Sequence, residues 1–490
     1  MKKYSLIFLF LAGWLAVNAQ QVLSLEDCRN LAIQNNKQLK ISNENIRKVE
    51  EDKKAAFTKY LPDISLTGAY LYNQKNISIL SEDKYLPIGT VMSDGSFGFT
   101  PEQIKNEWTM AGNQPVPLDA DGQPFNPAQN PDKILWKEHA IIPKSAFEMN
   151  IHNVFVGGLS IVQPVFMGGK IIAYNQIMEY ARALAESQKA TTIQELNLQI
   201  NQTYWQTVSL SNKRKLSEKL VTLLQQMNND VEAMIDEGVA TRADGLTVKV
   251  KLNEAEMTQT QADNGLQLCK MLLCQLCGLP LEEPVVLVDE NQESLLTNVP
   301  LSAGNVQEAW SNRSEIKSLD LATKIFKKKE AVVRADMLPT VALTGNYLVS
   351  NPNSFNGFQN KFAGSWNVGV MVNVPLFHWG EQFHQLKSAQ AETRVKHLEM
   401  DEAKEKIELQ VNQSKFKVAE ARKRMIAATK NKESAEENLR YADISFKEGV
   451  IPISNVTEAQ TAWFKAQTDF IDAQIALRLG EAELNRALGK

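Results

Sequence analysis

Alternating apolar and polar residues predict four β-strands in this chain. The alternating segments are residues 62–72, 154–166, 339–349 and 365–377. In the first segment Ile64, Leu66 and Tyr70 fall on one face. Ser65 and Thr67 fall on the opposite face, because successive side chains of a strand alternate. Each segment has at least the roughly nine residues that cross a bilayer when the strand is tilted. The pattern therefore predicts two hairpins of membrane-length strands, with Gly157 and Gly158 interrupting the second strand.

Each predicted hairpin is followed by a long proline-free stretch, residues 167–237 and residues 378–448. Apolar residues recur in the second stretch at a heptad spacing, for example at Val411, Val418 and Met425. At a rise of about 1.5 Å per residue, each stretch would span roughly 100 Å as one helix. Helices of this length in two copies predict an elongated coiled-coil scaffold.

The chain repeats itself. Landmarks that lie 211 positions apart (375 − 164) are Pro164 and Pro375, Gly238 and Gly449, and Gly278 and Gly489. A second match, Leu61 to Leu338 and Tyr70 to Tyr347, has an offset of 277 (338 − 61). The first half therefore carries 66 extra residues (277 − 211) between its two strands. Each half is predicted to run helix, strand, loop, strand, long helix, turn, helix.

The repeat also sets the predicted domain boundaries. They are a signal peptide 1–19, a first repeat 20–278, a linker 279–304 and a second repeat 305–490. Lys2 and Lys3, followed by an apolar stretch and the small residue Ala19, are typical of a secretory signal. The helical hairpins are predicted over 167–278 and 378–489.

The extra residues of the first half form an inserted loop at about 73–150, rich in Pro, Gly, Asn and Asp. Because it joins two strands on the side away from the helices, we expect it to face the cell exterior. Its Asp119-Ala120-Asp121-Gly122 segment lacks the further ligands of a calcium loop. We therefore predict no calcium site there.

Composition excludes several classes of function. The formal net charge of −4 gives no basis for a nucleic-acid partner. The five histidines lack the spacing of a metal motif, and no phosphate-binding glycine loop or nucleophile elbow is present in the sequence. We expect no enzyme activity, no cofactor and no bound metal.

The four cysteines are Cys28, Cys269, Cys274 and Cys277. The last two have C-x-x-C spacing, which admits a zinc or redox interpretation. No second pair or nearby histidine supports zinc, and leucines surround these residues in a helical stretch. We interpret them as small apolar packing residues that an exporting compartment exposes to oxidation.

Four strands per chain cannot close a transmembrane barrel, and an open sheet edge is not tolerated in lipid. The chain must therefore oligomerise, each copy adding strands to one shared barrel. Three copies would supply twelve strands (3 × 4), enough for a conducting barrel. The strand argument alone does not fix the number at three.

The chain resembles the TolC-type outer-membrane efflux protein family. The segments that carry the resemblance are Ser24-Leu25-Glu26-Asp27, Leu31-Ala32, Asn35-Asn36, the Leu-Pro strand starts at 61 and 338, and the Glu-Gly-Val turns at 237 and 448. The resemblance implies a mixed α and β fold with an outer-membrane β-barrel, four strands per chain, shared in a homotrimer. It also implies that a long periplasmic α-helical coiled-coil barrel continues the β-barrel. As partners it implies outer-membrane lipid, a periplasmic adaptor (membrane fusion protein) and an inner-membrane pump.

The family narrows its pore at the helix tips. The matching pore constriction and gate positions here are Arg242, Asp244, Phe446, Asn455 and Glu458. The resemblance implies an acidic position of the closed state at Asp244, a pore-facing position at Asn455 and an aromatic closing contact at Phe446. Glu458 lies one turn beyond Asn455, where we predict a ring of like charge in the oligomer, and Arg242 offers an alternative charge. It implies adaptor docking at the tip turns Gly238, Val239, Gly449 and Val450.

The predicted function is that of an outer-membrane channel that exports small molecules or drugs. A type I protein secretion duct is an alternative within the same fold. A non-channel periplasmic coiled-coil adaptor is an alternative of a different class. An adaptor would account for the helices but not for four membrane-length strands.

Overall fold

The computed structural model divides into two units. It describes residues 21–87, 90–91, 93–98, 108–119, 121–126, 128–129, 139–291, 304–356 and 359–490. The predicted signal peptide, residues 1–19, lies outside the described residues, as do parts of the inserted loop and of the linker. The helical unit runs up to Thr58 and then comprises Met167–Pro339 and Pro375–Lys490. The strand unit comprises Lys59–Phe166 and Thr340–Val374.

The helical unit is built from long and short helices. They are α1 (Leu25–Asn35), α2 (Lys37–Thr58), α3 (Lys170–Asp236), α4 (Arg242–Cys277), α5 (Val306–Asn312), α6 (Ser314–Ala335), α7 (Glu381–Lys447) and α8 (Ile453–Ala487). Helices α3 and α7 each have 67 residues, and both ends differ by the same 211 positions (381 − 170 and 447 − 236). Among the described residues no helix is both long and apolar enough to cross a bilayer.

Both long helices begin three residues later than the periodicity predicts. Gly169 and Gly380 precede them with φ values of 84° and 81°. This left-handed backbone suits glycine and reverses the chain before the first helical turn. The apolar pattern begins at the end of the preceding strand, so it does not reveal the reversal.

Each half carries two helices before its first strand, where the sequence predicted one. The breaks fall at Asn36 and Arg313, whose backbones are extended. The Asn36 side chain accepts a hydrogen bond from the Gln38 amide (2.8 Å) and so starts the second helix. Asn36 also donates to the Leu276 carbonyl (2.9 Å). At the equivalent point of the second half, Arg313 donates to the Ala487 carbonyl (3.4 Å).

A glycine ends each returning helix against one of these breaks. Gly278 and Gly489 have φ values of 72° and 77°. A Cβ on Gly278 would lie 2.6 Å from the Asn35 Cβ, and one on Gly489 would lie 2.8 Å from the Asn312 Cβ. Real Cβ atoms do not approach so closely, so only glycine lets these backbones meet. We name this contact the break junction.

The core of the helical unit is a set of local clusters. The largest buries Tyr204 and Trp205 of α3 with residues of α1 and α4. The same cluster includes residues of β1 (Gln21–Leu23) and β12 (Val285–Leu287), which pair in parallel, a contact that the sequence pattern does not predict. Both segments have three residues, too short for an alternation pattern.

The strand unit holds one sheet of four strands. These strands are β2 (Asp63–Tyr72), β11 (Asn153–Met167), β13 (Thr340–Asn351) and β14 (Ala363–Asn373). Their order across the sheet is β14-β13-β11-β2. Strand β11 continues through the two glycines that were expected to interrupt it. A Cβ on Gly158 would lie 3.1 Å from the Tyr347 carbonyl oxygen, so the glycine permits a close neighbouring strand.

The two hairpins place apolar residues on one face and polar residues on the other. In the second hairpin Leu343 pairs with Val370 and Tyr347 with Trp366. On the opposite face Asn346 donates to the Asn367 side chain (3.0 Å). The apolar face is open to solvent in a single chain. Its exposed members include Leu66 at 81 %, Trp366 at 73 % and Val368 at 74 %.

Strand β14 ends at Asn373, four residues before the predicted end at 377. Pro375 follows two positions later and has no N–H to donate to a sheet. In the inserted loop the described residues form short paired strands. They are β3 (Ile77–Ser78), β4 (Lys84–Pro87), β5 (Thr90–Val91), β6 (Phe97–Gly98), β7 (Trp108–Ala111), β8 (Gln114–Pro117), β9 (His139–Ile142) and β10 (Glu148–Met149).

The break junction yields a test of stability. We expect Gly278→Ala to destabilise the protein more than Gly238→Ala, although both glycines are left-handed. The left-handed conformation costs an L-residue about 1–2 kcal/mol at either position. At Gly278 the Cβ overlap adds about 1–3 kcal/mol. Thermal unfolding in detergent, followed by circular dichroism, measures the difference.

Gly238 is a matched control because a Cβ there would meet no atom within 4 Å. Gly489→Ala and Gly449→Ala form the same comparison in the second half. Equal shifts in the unfolding temperature for the two variants of a pair would contradict the break junction.

Candidate gate at the helix tips

Both helical hairpins turn through the same glycine motif. Gly238 and Gly449 have φ values of 78° and 74°. The Gly238 amide donates to the Ile235 carbonyl (3.0 Å), and the Val239 amide to the Met234 carbonyl (2.8 Å). The second tip repeats these bonds, from Gly449 to Phe446 (2.9 Å) and from Val450 to Ser445 (2.8 Å). This is the Schellman arrangement, which satisfies the last carbonyls of a helix.

A valine projects from each tip. Val239 and Val450 are each 73 % exposed. An exposed valine in a tight turn does nothing for the hairpin itself, since its side chain gains no burial. The two tips therefore present matched apolar side chains in equivalent positions.

Asp244 is held by hydrogen bonds to Thr241 at the start of α4. Its carboxylate accepts hydrogen bonds from the Thr241 amide (3.0 Å) and the Thr241 hydroxyl (2.6 Å). The Asp244 amide in turn donates to the Thr241 hydroxyl oxygen (3.2 Å), which completes a capping box. The bonds from Thr241 lower the pKa of the Asp244 carboxyl. The Thr-x-x-Asp spacing carries this signal in the sequence, whereas the family resemblance pointed only to a gate role for Asp244.

Arg242 is the first residue of α4 and is exposed. A cation in the first turn of a helix is opposed by the positive end of the helix dipole. Helix stability therefore does not explain an arginine at this position.

Phe446 is half-buried and packs against an apolar cluster at the base of the tips. The buried members of this cluster include Val231, Val248, Ile453 and Val456. The ring thus has packing partners within its own chain, and a closing contact would use its remaining exposed surface.

Asn455 and Glu458 lie one turn apart on the exposed face of α8. The residues that follow each of them, Val456 and Ala459, are buried. The five predicted gate residues thus include two pairs on separate helices. Asn455 and Glu458 lie together on α8, and Arg242 and Asp244 lie together on α4. Helices α4 and α8 contact one another within the helical unit.

A metal-binding arrangement is not found in the part of the chain that the structure describes. No group of three or more His, Cys, Asp or Glu side chains there could hold a metal ion.

Sequence comparison relates the chain to known proteins. Residues 305–490 match the model of the outer membrane efflux protein family. The alkaline protease secretion protein AprF of Pseudomonas aeruginosa is 23 % identical over 349 residues, which cover 69 % of this chain and 71 % of AprF.

Solved structures share the fold over most of this chain. The Campylobacter jejuni CmeC outer membrane channel has a TM-score of 0.68 at 14 % identity, covering 95 % of this chain and 85 % of CmeC. The outer membrane protein VceC of Vibrio cholerae has a TM-score of 0.66 at 14 % identity, covering 95 % and 96 %. The expected mixed α and β fold is confirmed. The second half thus matches the model of the outer membrane efflux proteins, and the chain has the fold of the CmeC channel structure.

Proposed function

We propose that this chain forms an outer-membrane export channel as a homotrimer. Small molecules enter from a periplasmic adaptor and an inner-membrane pump and leave to the cell exterior. The strand unit meets the lipid of the outer membrane, the helical unit lies in the periplasm, and the helix tips form the gate.

The observation that carries this proposal is the four-stranded sheet. One face of this sheet is apolar and the other is polar. The wall of a membrane barrel needs this pattern because it separates lipid from a water-filled lumen. Its end strands, β2 and β14, each pair on one side only among the described residues. A second copy can supply the missing hydrogen bonds, and closure through several copies leaves no open edge.

The comparisons support a channel rather than an enzyme or a coiled-coil adaptor. CmeC is described as an outer membrane channel. An adaptor function would leave the sheet of the strand unit without a role. The paired tips, with Val239 and Val450 exposed, are the surface that we assign to adaptor docking.

Protein secretion is the second candidate function, because AprF is named for the secretion of an alkaline protease. A gene deletion in the source organism separates the two candidates. Accumulation of dyes or drugs inside the deleted cells supports efflux. Loss of a protein from the medium, with dye accumulation unchanged, supports secretion.

The first experiment is to size the purified mature protein in detergent and record it in planar bilayers. We expect a trimer-sized particle that gives discrete, mostly closed, cation-preferring channels. A monomer that never conducts would refute the channel.

The exposed carboxylate of Glu458 gives a prediction for ion selectivity. Repeated about a three-fold axis, it forms a ring of negative charge that favours cations. We expect Glu458→Gln to weaken the cation preference and to raise the divalent-cation concentration for half block by about tenfold. A single pair of charges at about 4 Å in water is already worth about 1 kcal/mol.

Two further variants serve as comparisons for this measurement. Asn455→Asp adds a carboxylate one turn away and should strengthen both effects. Glu392→Gln removes another exposed carboxylate, near the start of α7, and should change neither. Unchanged selectivity and block in Glu458→Gln would remove Glu458 from the pore.

The capping box gives a prediction for Asp244. We expect Asp244→Asn to increase hydrogen exchange about fivefold in the first turn of α4, since a lost cap costs about 1 kcal/mol. The pKa of the Asp244 carboxyl is lower in the folded chain than its value of about 3.9 in the unfolded chain. The ionised carboxylate therefore stabilises the fold fully above the unfolded pKa, and this stabilisation is lost as the pH falls through the folded pKa. The difference between variant and parent should therefore disappear in acid.

Asp27→Asn is the matched control, because Ser24 and Asp27 form the same box at α1. It should affect exchange at α1 and leave α4 unchanged. If Asp244→Asn opened the channel with no change in local exchange, Asp244 would act in the gate and not as a cap.

A further inference from the structure

Three cysteines meet where α1 packs against the end of α4. Cys28 and Cys277 are fully buried at 0 % exposure, and Cys274 is buried at 1 %. All three belong to the largest apolar cluster of the helical unit. The expectation that Cys274 and Cys277 serve as packing residues is thus confirmed. Cys269 is partly exposed and lies outside this cluster.

Cys28 and Cys277 contact one another directly across the two helices. The Cys277 Sγ lies 3.5 Å from the Cys28 carbonyl oxygen. The Cys277 thiol therefore donates a hydrogen bond to the backbone of Cys28. Cys274 has a different neighbour, since its Sγ lies 3.8 Å from the Glu283 carbonyl oxygen. The pair within reach of cross-linking is therefore Cys28 with Cys277, not the C-x-x-C pair.

The repeat shows that packing alone does not require these thiols. The position equivalent to Cys28 is Asn305 (28 + 277), and the position equivalent to Cys277 is Leu488 (277 + 211). Leu488 is fully buried and fills the space beside Gly304. The second half therefore builds the same helix end with an aliphatic side chain and no sulfur pair.

We propose that Cys28 and Cys277 form a disulfide bond that ties α1 to the end of α4. The inference rests on the periplasmic location of the helical unit given under the proposed function, because the periplasm is oxidising. In the structure all four thiols are free, so the geometry is that of the reduced pair.

The bond forms by thiol–disulfide exchange with a protein disulfide oxidant of the periplasm. One of the two cysteines attacks the oxidant disulfide as a thiolate, which forms a mixed disulfide and releases one oxidant sulfur as a thiol. The other cysteine then loses its proton and attacks the sulfur of the first, which releases the second oxidant thiol. Two electrons and two protons pass to the oxidant.

Burial sets the timing of this reaction. Neither thiol is accessible in the folded chain, so the exchange takes place while α1 is still closing over α4. The cross-link joins residues 249 positions apart. Closing so long a loop restricts the unfolded chain and thus favours the folded one.

Peptide mapping of the full-length mature protein tests the proposal. The protein is purified from cell envelopes, alkylated with iodoacetamide in denaturant without reductant, and digested. We expect alkylation at Cys269 and Cys274 and a cross-linked peptide that contains Cys28 and Cys277. Alkylation at all four cysteines, or a Cys274–Cys277 cross-link, would overturn it.

Two variants and a reductant provide the controls. Cys28→Ala should leave the other three cysteines alkylated, and Cys269→Ala should retain the cross-link. Added dithiothreitol should lower the thermal unfolding midpoint of the parent and of Cys269→Ala, but not that of Cys28→Ala. A cross-link that persisted in Cys28→Ala would refute the assignment. Peptide mapping does not depend on whether the protein conducts. A conducting protein with four free thiols would refute the disulfide but not the channel. A cross-linked protein that never conducts would refute the channel but not the disulfide.

Discussion

The architecture of the helical unit depends on two backbones that meet with no side chain between them. At each break junction a left-handed glycine, Gly278 or Gly489, ends a returning helix against the break between two shorter helices. The side chains of Asn36 and Arg313 stabilise these contacts by donating hydrogen bonds to backbone carbonyls at the ends of the returning helices. Because the approach excludes even a Cβ, the end of each hairpin is fixed relative to the helices before it.

The two ends of each hairpin serve different purposes. At the break junction the glycine is confined by neighbouring backbone. At the tips, Gly238 and Gly449 have the same left-handed backbone but open space around them. A side chain on the turn there could be accommodated sterically, so glycine is needed only for its conformation. The tips are thus free to present residues to a partner, while the junction holds the hairpin in place.

Much of this fold is readable from the sequence, because its elements are long and periodic. The 67-residue helices and the alternating strands give strong patterns, and the offset between the halves aligns their ends. The helix breaks at Asn36 and Arg313 were not predicted, since each occupies one residue and its cause lies in a contact with a distant carbonyl. At the tips the sequence located the turn glycines but not the capping role of Asp244. The gate roles remain predictions, because they depend on other copies of the chain.

The open sheet of the strand unit also bears on how the protein is made. Within the described residues, a single copy has a sheet whose two end strands each pair on one side only, and an apolar face on which Leu66 and Val368 are both mostly exposed. Such surfaces pair with any available strand, including those of misfolded neighbours. A copy that stays separate from its partners therefore carries a surface that favours aggregation.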